Sequence, residues 1–342
     1  MKLHESSDLM PVETGQKADA TDTSPTVEVL LATYNGERFL REQIDSILAQ
    51  DHKNFRVLAR DDGSSDGTTV ILREYEQRFP NRFCVMPTGA PTGSAKNNFL
   101  KLMKASASEY VCFSDQDDVW LSDKVSRSMR AMATLESRYG TTTPLLVFTD
   151  LRVVDDALET LHESLWKQAG VKPERINDLA AILGHNIVTG CTALVNRRLL
   201  DISLKMPEEA VMHDSWIALL ASAFGASEMV REKTVLYRQH DRNVVGIDTR
   251  KKSTWELLAR FLEGEGRILQ WKTNEKVAEA MLRVHGRDLC PKNRKLLEAY
   301  LRCGRSDSRI VRVGTMLRYR FFRPGVLRNV ATFVDLWRKK MG

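Results

Sequence analysis

The chain has 342 residues, 42% hydrophobic and 28% charged, which is a globular composition and excludes fibrous and wholly disordered classes. Its net charge of +6 is concentrated at one end: residues 301–342 hold eleven basic and two acidic side chains, residues 1–26 hold two basic and five acidic, and the stretch between is neutral. A neutral body is not a nucleic-acid surface. The longest apolar run, Trp216–Ala226, is too short to span a bilayer, and no apolar core follows a basic start, so neither a spanning helix nor a signal peptide is expected.

Residues 1–26 are polar and without periodicity, and are expected to be disordered. Val27–Ala32 reads as a central parallel strand, and Glu37–Ala49 as a helix with Phe39, Leu40, Ile44, Ile47 and Leu48 on its inner side. A second strand follows over Phe55–Ala59, then a helix over Thr68–Phe79 capped by Asp66. A third strand (Phe83–Met86), a third helix (Ser94–Ala105) and a fourth strand (Tyr110–Ser114) continue the alternation. Lys124–Glu136 is a further helix, with Ser122 as its cap. Such alternation predicts an open, mostly parallel α/β sheet flanked by helices. Beyond residue 145 the pattern loosens to strands at Leu145–Thr149, Cys191–Val195 and Val235–Arg238 and an apolar helix opened by His213-Asp214. From Ser253, where Ser253 and Glu256 form a capping box, the chain reads as helical.

The cysteines at 84, 112, 191, 290 and 303 are odd in number and contain no Cys-x-x-Cys pair. Zinc sites and disulfide frameworks are therefore not expected, and a reducing, cytoplasmic location is. Cys112 and Cys191 lie in apolar runs and read as small packed hydrophobes.

Ligands of open α/β sheets bind at the carboxyl ends of the strands, and the polar residues of this chain gather there. Thr33-Tyr34-Asn35-Gly36-Glu37 follows the first strand and Asp61-Asp62-Gly63-Ser64-Ser65-Asp66-Gly67 the second. Asp115-Gln116-Asp117-Asp118 follows the fourth, placing three carboxylates within four residues. Carboxylates so close repel one another, and a hard divalent cation such as Mg²⁺ or Mn²⁺, itself bridged to a phosphorylated ligand, explains them. An exposed acidic turn is the plainer alternative. Neither a Gly-x-Gly-x-x-Gly fingerprint nor a phosphate-binding lysine loop is present. Asp61 or Asp62 could bond a ribose or a base edge, and Asp66 reads as a helix cap. Asp214, at a helix start, is a candidate base or a cap. Trp120 and Trp216 read as core residues rather than sugar platforms.

Four ordered blocks, Ala32-Thr33-Tyr34-Asn35-Gly36, Asp61 to Thr68, Asp115-Gln116-Asp117-Asp118 and His213-Asp214, resemble the inverting family 2 glycosyltransferases of the GT-A fold over residues 27–245. Gln116, Trp120, the run Ala95 to Phe99, and Arg238-Gln239-His240 are similar to the bacterial rhamnosyltransferase-like branch that builds surface polysaccharides. The resemblance implies a Rossmann-like catalytic domain over 27–250 and a basic, helical C-terminal region over 251–342. It implies that Thr33, Tyr34 and Glu37 line the nucleotide pocket, that Asp61 or Asp62 contacts base or ribose, and that Lys96 is the basic residue near the nucleotide. Asp115 and Asp117 become the ribose-and-metal pair, with Asp117 a direct ligand of Mg²⁺ or Mn²⁺. His240 reaches the metal or the diphosphate, or is an ordinary loop histidine. Asp214 matches the general base, although His213 stands where the family commonly has Glu.

The function so implied is transfer of a sugar from dTDP-rhamnose or a UDP-sugar to a glycan acceptor, lipid-linked, in bacterial surface polysaccharide synthesis. Two alternatives are a catalytically silent nucleotide-sugar-binding assembly partner and a nucleotidyltransferase. The intact aspartates argue against the first, and the missing phosphate loop against the second.

In the basic tail, Val326, Val330, Phe333, Val334 and Trp337 share one helical face, and Ile310, Val313 and Leu317 another, with Arg309, Arg312, Arg318, Arg320, Arg328, Arg338, Lys339 and Lys340 around them. That pattern suits peripheral attachment to an anionic membrane surface, the cytoplasmic face of the inner membrane; a helical pair packed on the catalytic domain is the alternative.

Overall fold

A computed structural model describes residues 26–87, 89–241, 265–323 and 325–338. The disorder expected of 1–25 and the capping box at Ser253 lie outside the described residues. The first half alternates as read: β1 (Val27–Thr33), α1 (Leu40–Leu48), β2 (Phe55–Asp61), α2 (Thr68–Arg78), β3 (Phe83–Val85), α3 (Ala95–Ala105), β4 (Tyr110–Ser114), β5 (Val119–Trp120) and α4 (Lys124–Tyr139). The second half runs β6 (Leu145–Val154), β7 (Thr160–His162), α5 (Leu165–Ala169), α6 (Leu179–Gly184), β8 (Ala193–Asn196), α7 (Arg197–Ser203), α8 (His213–Phe224) and β9 (Ala226–Arg238). Four helices close the chain: α9 (Glu265–His285), α10 (Pro291–Arg305), α11 (Arg309–Tyr319) and α12 (Val326–Arg338).

The strands form one sheet in the order β3-β2-β1-β4-β8-β6-β9-β5, with β7 on β6. β3, β2, β1 and β4 are mutually parallel. β8 is antiparallel to β4 and to β6, and β6 is parallel to β9. β1 is buried along its whole length, as a central strand covered on both faces must be. Its Val27, Val29 and Leu31 enter the core under α1, α2 and α4, whereas Leu30 and Ala32 enter the core on the other face with Phe99, Phe113 and Trp216. Buried Glu28 is paired across the sheet with Arg56, 2.6 Å away on β2. The second core continues into Trp271, Met281, Leu297, Tyr300, Met316 and Leu336, so the C-terminal helices pack on the sheet layer.

Two cap assignments change. No side chain caps α4, whose N-cap position is Asp123 rather than Ser122, and Asp66 sits one residue before the N-cap Gly67 while still accepting the Thr68 N–H at 3.0 Å. Trp120 and Trp216 are core residues, both almost fully buried.

Gly225 joins α8 to β9 where no side chain fits: a Cβ there would lie 1.7 Å from the Pro144 carbonyl oxygen. That oxygen accepts the Ala226 N–H at 3.1 Å and fixes the start of the β6–β9 pair. A backbone obstacle cannot rotate away, so Gly225→Ala is expected to destabilise by about 1–3 kcal/mol or more. The readout is the urea midpoint; an unchanged midpoint would show that the junction has slack.

Candidate active site

The order β3-β2-β1-β4 reverses direction at β1, and the crevice between the carboxyl ends of β1 and β4 is the topological switch point. Side chains from five segments meet there. The turn after β1 is fixed by Gln116, which accepts the Tyr34 N–H at 2.7 Å and donates to the Tyr34 carbonyl at 2.9 Å. Gly36 is required by this clamp, since a Cβ would lie 2.3 Å from the Gln116 Oε1. The same turn is laced to the turn after β2. The Asn35 N–H donates to the Ser64 hydroxyl, the Asn35 side chain accepts the Ser65 N–H, and the Gly36 N–H donates to Thr68. Glu37 accepts the Gly67 N–H at 2.9 Å, and its own N–H donates to Asp66. Asn35 takes a left-handed φ of 50°, a conformation Asn tolerates better than most residues.

Several sequence-predicted residues build these turns. Asp61 accepts from Thr33, from the Gly63 N–H and from both the N–H and hydroxyl of Ser64. Asp62 accepts from Arg60 at 2.7 Å, from the N–H and hydroxyl of Thr92, and from the Gly93 N–H. The hydrogen bonds from Arg60 and Thr92 hold its carboxyl below the usual range against the opposing effect of burial. Lys96, on α3, donates to the carbonyls of Glu208 at 2.7 Å and Ala210 at 2.9 Å, and so holds the loop that leads into α8. Tyr34 is exposed, unlike Thr33 and Gly36 on either side of the same turn.

The acidic turn divides its labour. Asp118 is fully buried and accepts the Arg238 N–H at 3.2 Å, so it anchors the end of β9. Asp117 is at the surface of the crevice, its Oδ2 2.9 Å from His240 Nε2. His240 packs on Phe39 with ring centroids 5.0 Å apart. Arg238 straps the assembly together. Its buried guanidinium lies 4.4 Å over Phe39, donates from Nε to the Asp117 carbonyl at 2.9 Å, and also bonds the Asp156 carbonyl and the Glu42 carboxylate.

Asp214 reaches the crevice from the first turn of α8, whose N-cap is Met212, so Asp214 is not the cap. Its carboxylate accepts the Ser215 N–H at 2.5 Å and the Gly190 N–H at 3.1 Å, and Asn186 also bonds it. Burial nevertheless pushes it up to about 6. His213, its neighbour, is enclosed in the core. It is buried with its ring 3.9 Å from Phe99 and 5.0 Å from Phe113, and burial pushes it down to about 3, so it is a neutral core residue.

Asp115 is pushed up to about 7, first by burial and then by the charges of Asp117 and Asp214. The crevice thus holds more negative charge than the protein neutralises, which is the condition a cation relieves. The expected set of Asp115, Asp117 and His240 is brought together only in part: Asp117 and His240 are 2.9 Å apart, but the donor atoms of the three do not lie within 4.8 Å of one another. Asp118 and Cys191 also lie near Asp115, with one donor atom of each of the three within 4.8 Å of the others. Burial and the neighbouring carboxylates push the Cys191 thiol well up, so it stays protonated and is a poor ligand for a hard ion. Asp118 gives one oxygen to the Arg238 N–H and keeps the other buried without a hydrogen bond.

Polar turns and carboxylates thus gather at the switch point of a Rossmann-like sheet, the place where such sheets bind their ligands. The family model "Glycosyl transferase family 2" matches residues 28–201, and the chain belongs to that family. It is similar to the dTDP-rhamnosyl transferase RfbG of Shigella flexneri, 27% identical over 242 residues that cover 67% of this chain and 78% of that protein. It is also similar to the putative teichuronic acid biosynthesis glycosyltransferase TuaG of Bacillus subtilis (strain 168), 27% identical, covering 61% and 77%. The match to an uncharacterized glycosyltransferase of Rickettsia typhi, 28% identical, spans 58% of this chain and 59% of that one. Among solved structures, residues 1–349 of S. aureus TarS in complex with UDP-GlcNAc superpose with a TM-score of 0.53 at 15% identity, over 92% of this chain and 89% of that chain. The GT-A architecture expected from the sequence is therefore the fold of this chain, and the protein is a bacterial-type glycosyltransferase.

Proposed function

We propose that the chain is an inverting, divalent-metal-dependent glycosyltransferase acting in surface polysaccharide synthesis. Its donor is dTDP-rhamnose or a UDP-sugar, and its acceptor is a lipid-linked glycan at the cytoplasmic face of the inner membrane. The observation that carries this reading is the convergence of Asp115, Asp117 with His240, and Asp214 on one crevice, where Asp214 is close enough to help raise Asp115.

In this reading Asp117 and His240 hold the ion, and Asp115 holds the ion and the ribose. A bound divalent ion supplies Lewis-acid neutralisation of the diphosphate leaving group. Tyr34 offers its exposed ring to the nucleotide. Thr33, Glu37, Asp61 and Asp62 shape the pocket walls, and Lys96 sets the loop between nucleotide and acceptor. Asp214 takes the proton of the acceptor hydroxyl as that oxygen attacks the anomeric carbon. A single displacement then leaves the product anomer inverted. The base sits near the positive end of the α8 dipole, which favours its ionised form.

The test is a thermal-shift panel of nucleotide sugars with and without Mn²⁺, followed by turnover on a lipid-linked glycan. A donor bound at one hundred times its Kd raises stability by about 2.7 kcal/mol. No shift with any nucleotide diphosphate in Mn²⁺ would overturn the donor assignment, and a shift without turnover on any acceptor would favour the silent binding partner.

A further inference from the structure

The C-terminal helices are packed on the catalytic layer and amphipathic outward at the same time. α12 turns Ala331, Thr332, Asp335 and Leu336 inward. Part of the apolar stripe read from the sequence lies on the opposite side: Val326, Val330 and Trp337 are 79%, 48% and 47% exposed, while Phe333 and Val334 are half-buried and Phe333 packs on the core. On α11 the same division holds, with Arg312 and Met316 buried, and Ile310 and Leu317 79% and 51% exposed. The two helices form an antiparallel pair. Arg312 donates to the Leu336 carbonyl at 2.6 Å and to the Ser306 carbonyl at 2.7 Å, and Arg309 lies 5.8 Å over the Trp337 ring, which brings the two stripes onto one face. Arg312 is therefore a structural residue and leaves the count of surface charges.

We infer that this outward face of α11 and α12 docks the protein on an anionic phospholipid bilayer. Charge decides the occupant. Arg309, Arg318 and Arg338 are exposed beside the apolar side chains, while the one carboxylate on either helix, Asp335, is buried. An apolar face rimmed only by cations suits insertion among acyl chains beneath anionic headgroups. A second copy of the same face would bring like charges together. The inference rests on the reading of a membrane-held acceptor, and its test does not use turnover.

The full chain is mixed with vesicles of phosphatidylcholine alone or with phosphatidylglycerol added, and sedimented at low and raised salt. Truncation is avoided because the last helices share a core with Trp271 and Tyr300. Binding to the phosphatidylglycerol vesicles that weakens with salt is expected. Arg318→Gln with Arg338→Gln should weaken it about fivefold per charge removed. Ile310→Glu with Val330→Glu should weaken it at least about tenfold by placing charges on the inserting face. Mn²⁺-dependent UDP binding, measured by calorimetry on each variant, should be unchanged; its absence from the wild type as well would count against the donor reading and not against the docking face. Three results would overturn the inference: equal partitioning into neutral and anionic vesicles, binding indifferent to salt, or a wild-type dimer that Val330→Glu disperses.

Discussion

Asp117→Ala is expected to abolish Mn²⁺-dependent binding of the nucleotide diphosphate and leave the fold intact. The carboxylate is at the crevice surface and its hydrogen-bond partner is His240. The Arg238 strap holds the Asp117 carbonyl, not its side chain, so truncation leaves the strap in place. Asp118→Ala is the contrasting case. It removes a fully buried acceptor from the Arg238 N–H and should destabilise by about 1–3 kcal/mol. His240→Ala should also weaken Mn²⁺ binding, because it removes the imidazole proposed to hold the ion beside Asp117. Binding should also depend on pH. Asp115 without a cation is protonated below about 7, and a cation must displace that proton, so Mn²⁺ affinity is expected to fall as pH drops through that value. Calorimetry of Mn²⁺ with UDP or dTDP at several pH values reads all of this. Unchanged Mn²⁺-dependent affinity in Asp117→Ala would remove the metal role from this residue.

The strands and the polar blocks at their ends were legible, and the clamps that join those blocks were not. β1, β2 and β4 are short apolar runs ending in polar blocks, so strands and candidate ligands emerge together from local pattern. α5 and α6 have five and six residues, too few for a helical period to show. β9 was expected only from Val235, because its first half carries Glu228, Arg231, Glu232 and Lys233 along a partly solvated strand. The clamps are long-range. Gln116 meets Tyr34 across 82 residues and Arg238 meets Asp117 across 121, and nothing in one sequence announces such a pairing. A hint for Arg238 was its place two residues before His240. Periodicity in α12 found the stripe but not its direction, since the inward face holds Leu336 as its one large apolar side chain beside Ala331, Thr332 and Asp335. His213, read beside Asp214 as part of one motif, is separated from it by the helix geometry itself: adjacent residues on a helix face different ways.

Asp214→Asn is expected to keep donor binding and lower kcat by about 10²–10⁴-fold, the contribution of a positioned base. The amide preserves size and can still accept one of the two backbone N–H groups, from Gly190 and Ser215, that fix the carboxylate, so the loss should fall on chemistry more than on stability. Ionisation gives a second signature. Burial raises Asp214 to about 6, and a base works only when deprotonated, so wild-type kcat should rise with pH through about 6 and level off above it. In the variant that limb should vanish from the residual rate. Asp115 lies close enough for the two carboxyls to titrate as a pair, so the limb belongs to the pair until the Mn²⁺-saturated enzyme is measured, where Asp115 is held ionised and Asp214 remains. Asp150 would be a fallback base by sequence alone, but it is buried and accepts from Ser164, Leu151 and Trp166 to fix the start of α5. Exposed Asp241, one residue after His240, is the other fallback carboxylate. Near-native kcat in Asp214→Asn, with the acidic limb intact, would move the base to Asp241.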